Sequence, residues 1–435
     1  MSILLLNKLA LELVARDFSG GHIPTNAGPT RTSRALAIIH LAARDAYAMV
    51  TQTYAPKLST LPAIPLGLTK ADGIAAALAA GVRAAELLYP DDDTFISNAA
   101  GFLALGRGGA IQYGNQVAEL WITSRKSDSA DMPQTDVLFN QAAGHHRPDP
   151  LDPKQTALGR NWGKVRPFVL TDVKTEAMLK PPHALGSKAY KCDFDEVYVC
   201  GKNSLPNQDA AFRKKAVEGI FWAYDGANKI GTPPRLYNQV VVRTGEFMAL
   251  GDAEQINILA AINAAMADAG IAAWYWKYEY DRWRPVVGIR EAAGSWGPTG
   301  AGDGTDNVEP DPFWLPLGAP ASNTVDKQNG TPNFPAYPSG HATFGAACFK
   351  TFAKLLNKSC GDITLDFVSD EFDGTTTDNR GVTRPRYVRK NLSLTKAIEE
   401  NNLSRIYLGV HWRDDAKGGE TLGTLVADKC AAAFK

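Results

Sequence analysis

Residues 34–49, RALAIIHLAARDAYAM, repeat with a helical period but carry apolar side chains on nearly every side. Such a helix has no face to give to water and must be packed all round by other elements. His40 and Asp45 within it are five positions apart, off a common face. They read as hydrogen-bonded core groups and not as a catalytic pair. The same period marks residues 4–14, 70–88, 92–104, 110–127, 208–228, 240–250, 252–283, 342–356, 393–405 and 415–433, whereas β-patterned segments are few. The predicted fold is therefore all-α. Two helical bundles are expected, residues 1–205 and 206–435, with an irregular region over about 128–207 that links the halves and packs over them.

Lys plus Arg equals Asp plus Glu at 46 each, so no net charge argues for nucleic acid or an acidic membrane surface. The partner expected is a small molecule. Five cysteines, at 192, 200, 348, 360 and 430, fit no zinc spacing and read as mostly reduced thiols, with Cys192 to Cys200 the one pair able to bridge outside the cytoplasm. The short apolar run at Ile3–Leu6 is followed by Asn7 and Lys8 and is not a secretory segment. No stretch reads as a membrane span. The expectation is a soluble protein, cytoplasmic or exported by a non-classical route. His145 and His146 sit among prolines and read as an exposed turn, not a metal site.

Three stretches carry chemistry. In Trp274-Tyr275-Trp276-Lys277-Tyr278-Glu279-Tyr280-Asp281-Arg282-Trp283-Arg284-Pro285, the seven-residue spacing of Lys277 and Arg284 on one helix puts both cations on one face, about 10 Å apart along the axis. Pro285 then ends that helix, with Arg284 at its C-terminal edge. In Phe334-Pro335-Ala336-Tyr337-Pro338-Ser339-Gly340-His341, an extended approach delivers a hydroxyl, a glycine and an imidazole to the start of an apolar helix. A helix start offers free N–H groups and partial positive charge to an oxyanion, while Ser339 donates and His341 moves protons. In Ser404-Arg405-Ile406-Tyr407-Leu408-Gly409-Val410-His411-Trp412-Arg413-Asp414, a break near Gly409 aims both Arg405 and His411 inward. Asp414, three beyond His411, is placed to orient the imidazole through its other nitrogen.

In this order the three stretches resemble the vanadium-dependent haloperoxidases, and the acid phosphatase superfamily that shares their site. Residues 208–239, with Asp225-Gly226 and Gly231-Thr232-Pro233-Pro234-Arg235, also resemble the fungal-type chloroperoxidases. The resemblance implies a vanadate cofactor and no haem or nucleotide. It implies His411 as the vanadium ligand, and Lys277, Arg284, Ser339, Gly340 and Arg405 as the groups holding its oxygens. His341 becomes the acid-base group, and Lys277 polarises peroxide. Asp225 matches a carboxylate that pairs with a site arginine, although an Asp-Gly turn ending a helix accounts for it equally well. Phe334 and Trp274 stand where the chloroperoxidase branch carries aromatic residues.

The implied activity is oxidation of chloride or bromide by hydrogen peroxide to hypohalous acid, which halogenates an organic acceptor. A soluble acid phosphatase, with a phosphohistidine at His411, is the alternative. A third reading is an idle oxyanion binder; the presence of both histidines speaks against it. The acceptor, the oligomeric state and whether hypohalous acid leaves the site are open at this level.

Overall fold

The computed structural model describes residues 2–19, 24–101, 108–133, 138–203, 210–305, 309–320, 329–378 and 381–435. Helices dominate, and the strand pairing is a small antiparallel hairpin, Thr364–Val368 against Val388–Ser393. The boundary expected at 205/206 lies outside the described residues.

The Asp252–Tyr280 helix is the axis of the molecule. Alanine and isoleucine run along it on every side, and it is buried from Gln255 to Trp274 without interruption. By length and composition it is apolar enough to cross a membrane, contrary to the expectation from sequence, but its most apolar window is wholly enclosed by protein. It packs against Gly28–Thr51 on the N-terminal side, and against Gly340–Leu355 and Arg413–Phe434 on the C-terminal side. One hydrophobic core therefore runs through both halves. The all-round apolar helix read at residues 34–49 lies inside Gly28–Thr51. There His40 bonds the Leu36 carbonyl and Asn7, and Asp45 accepts from the backbone of Lys57 and Leu58.

Two features aim the site. The Gly340–Leu355 and Arg413–Phe434 helices approach so closely that a Cβ on Gly419 would stand 2.5 Å from the Ser339 carbonyl oxygen, and one on Gly423 would stand 2.4 Å from that of Thr343. Only glycine permits that approach. At the other turn, Gly409 takes a positive φ of 71° and ends the Leu394–Tyr407 helix, so that Arg405 and His411 point the same way.

The structure corrects several sequence expectations. The helix carrying Lys277 ends at Tyr280, where Asp281 adopts a left-handed conformation (φ 47°). Arg284 is the residue before a new helix, Pro285–Arg290, and not the last of the old one. Proline here starts a helix, as its fixed φ and missing N–H allow. The region expected to be irregular holds a helix at Lys188–Cys200, capped by Ser187. Cys192 and Cys200, both on it, are free thiols. His146 is buried, not exposed, and its backbone N–H bonds the Asp281 carbonyl at 2.8 Å, bracing the break that positions Arg284.

Candidate active site

Ser339 is the N-cap of the Gly340–Leu355 helix and His341 its second residue, both buried. The first-turn amides and the helix dipole therefore face the same point as the cations around them. Lys277 is fully buried and donates to the carbonyls of Pro335 (2.8 Å), Ala336 (3.0 Å) and Pro338 (2.6 Å), which fixes the approach to Ser339. Arg284 Nε donates to the Phe334 carbonyl (2.9 Å), and Nη1 to that of Val410 (2.8 Å). Arg405 forks onto Asp225 with two 2.9 Å bonds. Asp225, assigned in the sequence to either a turn or an arginine pair, is the arginine pair.

His411 presents a defined tautomer. Its Nδ1 lies 2.8 Å from Asp415 Oδ2, so the proton sits on Nδ1 and the lone pair on Nε2, which receives Arg284 Nη1 at 2.9 Å. The orienting carboxylate is thus Asp415, and not Asp414 as the three-residue spacing suggested. Four residues on, within the Arg413–Phe434 helix, Asp415 also accepts from the Trp412 amide (2.9 Å), and its own carbonyl accepts from Ser339 N (2.8 Å). Asp415 therefore ties two site segments together. Asp414 turns away, toward the backbone of His183 at 2.8 Å. In sequence the adjacent pair Asp414-Asp415 was ambiguous, and only the helix start at Arg413 selects between them.

His341 donates from Nε2 to the Ala223 carbonyl at 2.6 Å, which leaves its lone pair on Nδ1. Burial, then the neighbouring Arg405, holds its pKa well below the ordinary histidine value. Burial and the cations Arg284 and Lys277 do the same to His411. Desolvation pushes Lys277 far down and Arg284 to about 9. Both shifts reflect buried cations short of counter-charge: Asp415 is the carboxylate acting on Lys277, and Asp415 with Asp225 acts on Arg284.

The site opens into a cavity of about 310 Å³ that includes His341, Arg405, His411 and Gly340. Trp274 and Phe334 form its wall, ring centroids 4.8 Å apart, with Phe344 beyond at 6.3 Å from Trp274. Lys277 Nζ and the Arg284 guanidinium stand 5.0 and 4.9 Å from the Phe334 ring. Pro332 and Asn333, just before Phe334 in the chain, also line it.

Within the site, the buried donors Arg284 Nη2 and Arg405 Nε bond nothing among the described residues. Guanidinium N–H groups left unbonded in a protein interior are costly and call for an anion between them. A tetrahedral oxyanion with a ligand-accepting metal centre fits this donor set, since His411 offers a neutral, oriented nitrogen beside the same two arginines.

Residues 257–435, which contain every one of these groups but Asp225 and Ala223, match the family model described as the VCPO second helical-bundle domain. Over these residues the chain resembles the vanadium chloroperoxidases. A vanadium chloroperoxidase of Curvularia inaequalis is 40% identical over 233 residues, 46% of this chain and 36% of that protein. The match thus spans about a third of the relative's length. A crystal structure of the first bacterial vanadium-dependent iodoperoxidase shares the fold at a TM-score of 0.71 and 21% identity, covering 98% of this chain and 96% of that one. A holo-type bacterial vanadium-dependent chloroperoxidase does so at 0.68 and 18%, with 94% of each chain covered. The vanadium haloperoxidase fold therefore extends over both halves, including the N-terminal helices beyond the family match.

Proposed function

We propose that this protein is a vanadate-dependent haloperoxidase. The observation that carries the reading is the unprotonated Nε2 of His411 facing the unsatisfied donors of Arg284 and Arg405 in one buried pocket. Vanadate would be held by His411 through Nε2, and by Arg284, Arg405, Ser339, the Gly340 amide and Lys277 around its oxygens. When bound it supplies Lewis acidity that makes peroxide oxygen electrophilic.

The protein's own groups do the rest. The three cations offset oxyanion charge, and a charge-compensated site reverses the depression of the Lys277 and Arg284 pKa values. His341 takes up a proton at Nδ1, because Nε2 is committed to the Ala223 carbonyl, and its depressed pKa keeps it a base under mildly acidic conditions. Lys277 has all its hydrogens on carbonyls, so its contribution to peroxide requires one of them to be shared. Phe334 and Trp274 keep water from the halide's approach, so that the halide meets the reactive oxygen with a weakened hydration shell, the desolvation cost being offset by the neighbouring cations. The reaction balances as halide, hydrogen peroxide and one proton giving hypohalous acid and water, and the halogen then passes to an organic acceptor.

The relatives' names support haloperoxidase chemistry over phosphate-ester hydrolysis. The same donors would also hold a phosphate, so binding and turnover need separate tests. Isothermal titration of the anion-stripped protein with orthovanadate is expected to give one site, weakened strongly in Arg284→Ala. Absence of vanadate binding would overturn the reading.

A further inference from the structure

The cavity beyond the oxyanion pocket holds two more buried polar atoms that bond nothing among the described residues: Thr232 Oγ1 and Asn333 Oδ1. Each has a local reason. Thr232 is the N-cap of the Pro233–Val242 helix, a position where a hydroxyl ordinarily accepts from an amide in the first turn. The next two residues are prolines, which have no N–H to offer. Arg235 N instead bonds the Thr232 carbonyl at 3.0 Å, so the hydroxyl caps nothing. Asn333 donates Nδ2 to the Thr156 carbonyl at 2.7 Å, and because a carbonyl accepts only from a donor, the atom left over is the amide oxygen. The rest of the cavity wall is largely aromatic and proline, with Phe18, Pro29, Trp274, Phe334 and Phe344 in it. Unpaired polar atoms in such a wall are tolerated where a ligand supplies the missing bond.

We propose that Thr232 and Asn333 form a binding subsite for the organic acceptor, an aromatic molecule with an O–H or ring N–H that donates to Asn333 Oδ1. This rests on the haloperoxidase reading for its chemistry, and it places halogen transfer on a bound acceptor inside the cavity. Hypohalous acid meets the ring there: the carbon–halogen bond forms, the ring C–H bond breaks, and the hydroxide leaves with the ring proton as water. The carbon is oxidised by two electrons and the halogen reduced to the bound halide level. An acceptor anchored through its donor exposes one edge, so the position of halogenation is set by the protein.

The test uses 1-naphthol and its methyl ether as probes. Titrated into the vanadate-free full-length protein, 1-naphthol is expected to bind at one site at least tenfold tighter than the ether. Asn333→Leu should remove that difference, while Thr232→Val, which takes away a hydroxyl able to donate to the oxygen of either probe, should weaken both and Thr232→Ser should retain both. Circular dichroism shows whether each variant is folded. With vanadate, bromide and peroxide, wild type should brominate 1-naphthol in a ratio of 2- to 4-product unlike that of added hypobromous acid, and Asn333→Leu should return the free-reagent ratio. Equal binding of naphthol and ether, or a wild-type product ratio identical to that of added hypobromous acid, overturns the subsite. Failure of the haloperoxidase reading looks different: no acceptor of any shape is halogenated, whatever the binding result.

Discussion

Asp415 Oδ2 stands 2.8 Å from Nδ1 of His411, while its neighbour Asp414 bonds the backbone of His183. The carboxylate that fixes the imidazole is therefore one residue beyond the position the motif suggested. Asp415→Asn is expected to weaken vanadate binding by roughly 10–100-fold, the usual cost of losing a group that orients a metal-ligating histidine. Asp414→Asn should leave the affinity near wild type. Orthovanadate titration of both variants checks the pair, and the reverse ranking would restore Asp414 to the site.

Asp225 and Arg405 form a buried, bidentate pair, and removing one partner leaves the other charged in the interior. Asp225→Ala should cost about 3–5 kcal/mol of unfolding free energy in the vanadate-free protein. Saturating vanadate should restore part of it, because the anion takes over the role of counter-charge. Urea unfolding with and without orthovanadate measures both effects. A variant as stable as wild type would mean that the pair is not a structural element of the pocket.

His40 is fully buried in the Gly28–Thr51 helix, and desolvation lowers its pKa from 6.5 to about 4. The unfolded chain therefore binds this proton first as pH falls. Stability attributable to His40 is intact above about pH 6.5 and is lost progressively toward pH 4, by about 3 kcal/mol in all. His146, His341 and His411 are depressed in the same direction and add to the slope. His40→Gln, although less stable at neutral pH, should show a shallower fall between pH 6.5 and 4.5. Denaturant melts across that range decide it; parallel slopes would remove His40 from the account.

Phe334 lies against Trp274 and under the guanidinium of Arg284. Since chloride holds its water more tightly than bromide, a wetter wall should penalise chloride more. Phe334→Ala is expected to lower chloride turnover more than bromide turnover, read as the ratio of the two kcat/KM values at mildly acidic pH. An unchanged ratio would mean that the ring does not govern halide choice.

The candidate site's residue types were legible because each rests on local chemistry: a helix start after Ser339, two cations near a tryptophan-rich helix, a glycine break at Gly409. The break at Asp281 was not legible, since a left-handed aspartate leaves no mark in an otherwise helical pattern, and Pro285 reads equally as an end or a beginning. Asp415 was missed because adjacent aspartates differ only in the phase of the helix that holds them. His146 was misread because prolines around it suggest a turn, while its burial comes from packing 135 positions away, on Asp281. Thr232 and Asn333 matter through bonds they do not make, which no sequence pattern records. The Asp252–Tyr280 helix was read from its period as a helix, but neither its match to a membrane span by length nor its enclosure was read, and the packed neighbours supply the latter.

The most direct test strips the protein of bound anion and follows halogenation of a dimedone-type acceptor with peroxide and chloride or bromide, with and without orthovanadate, alongside phosphate-ester hydrolysis. Halogenation that appears only with vanadate is the predicted result. Ester hydrolysis without vanadate, inhibited by it and accompanied by no halogenation, would contradict the account and make the same pocket that of a phosphatase.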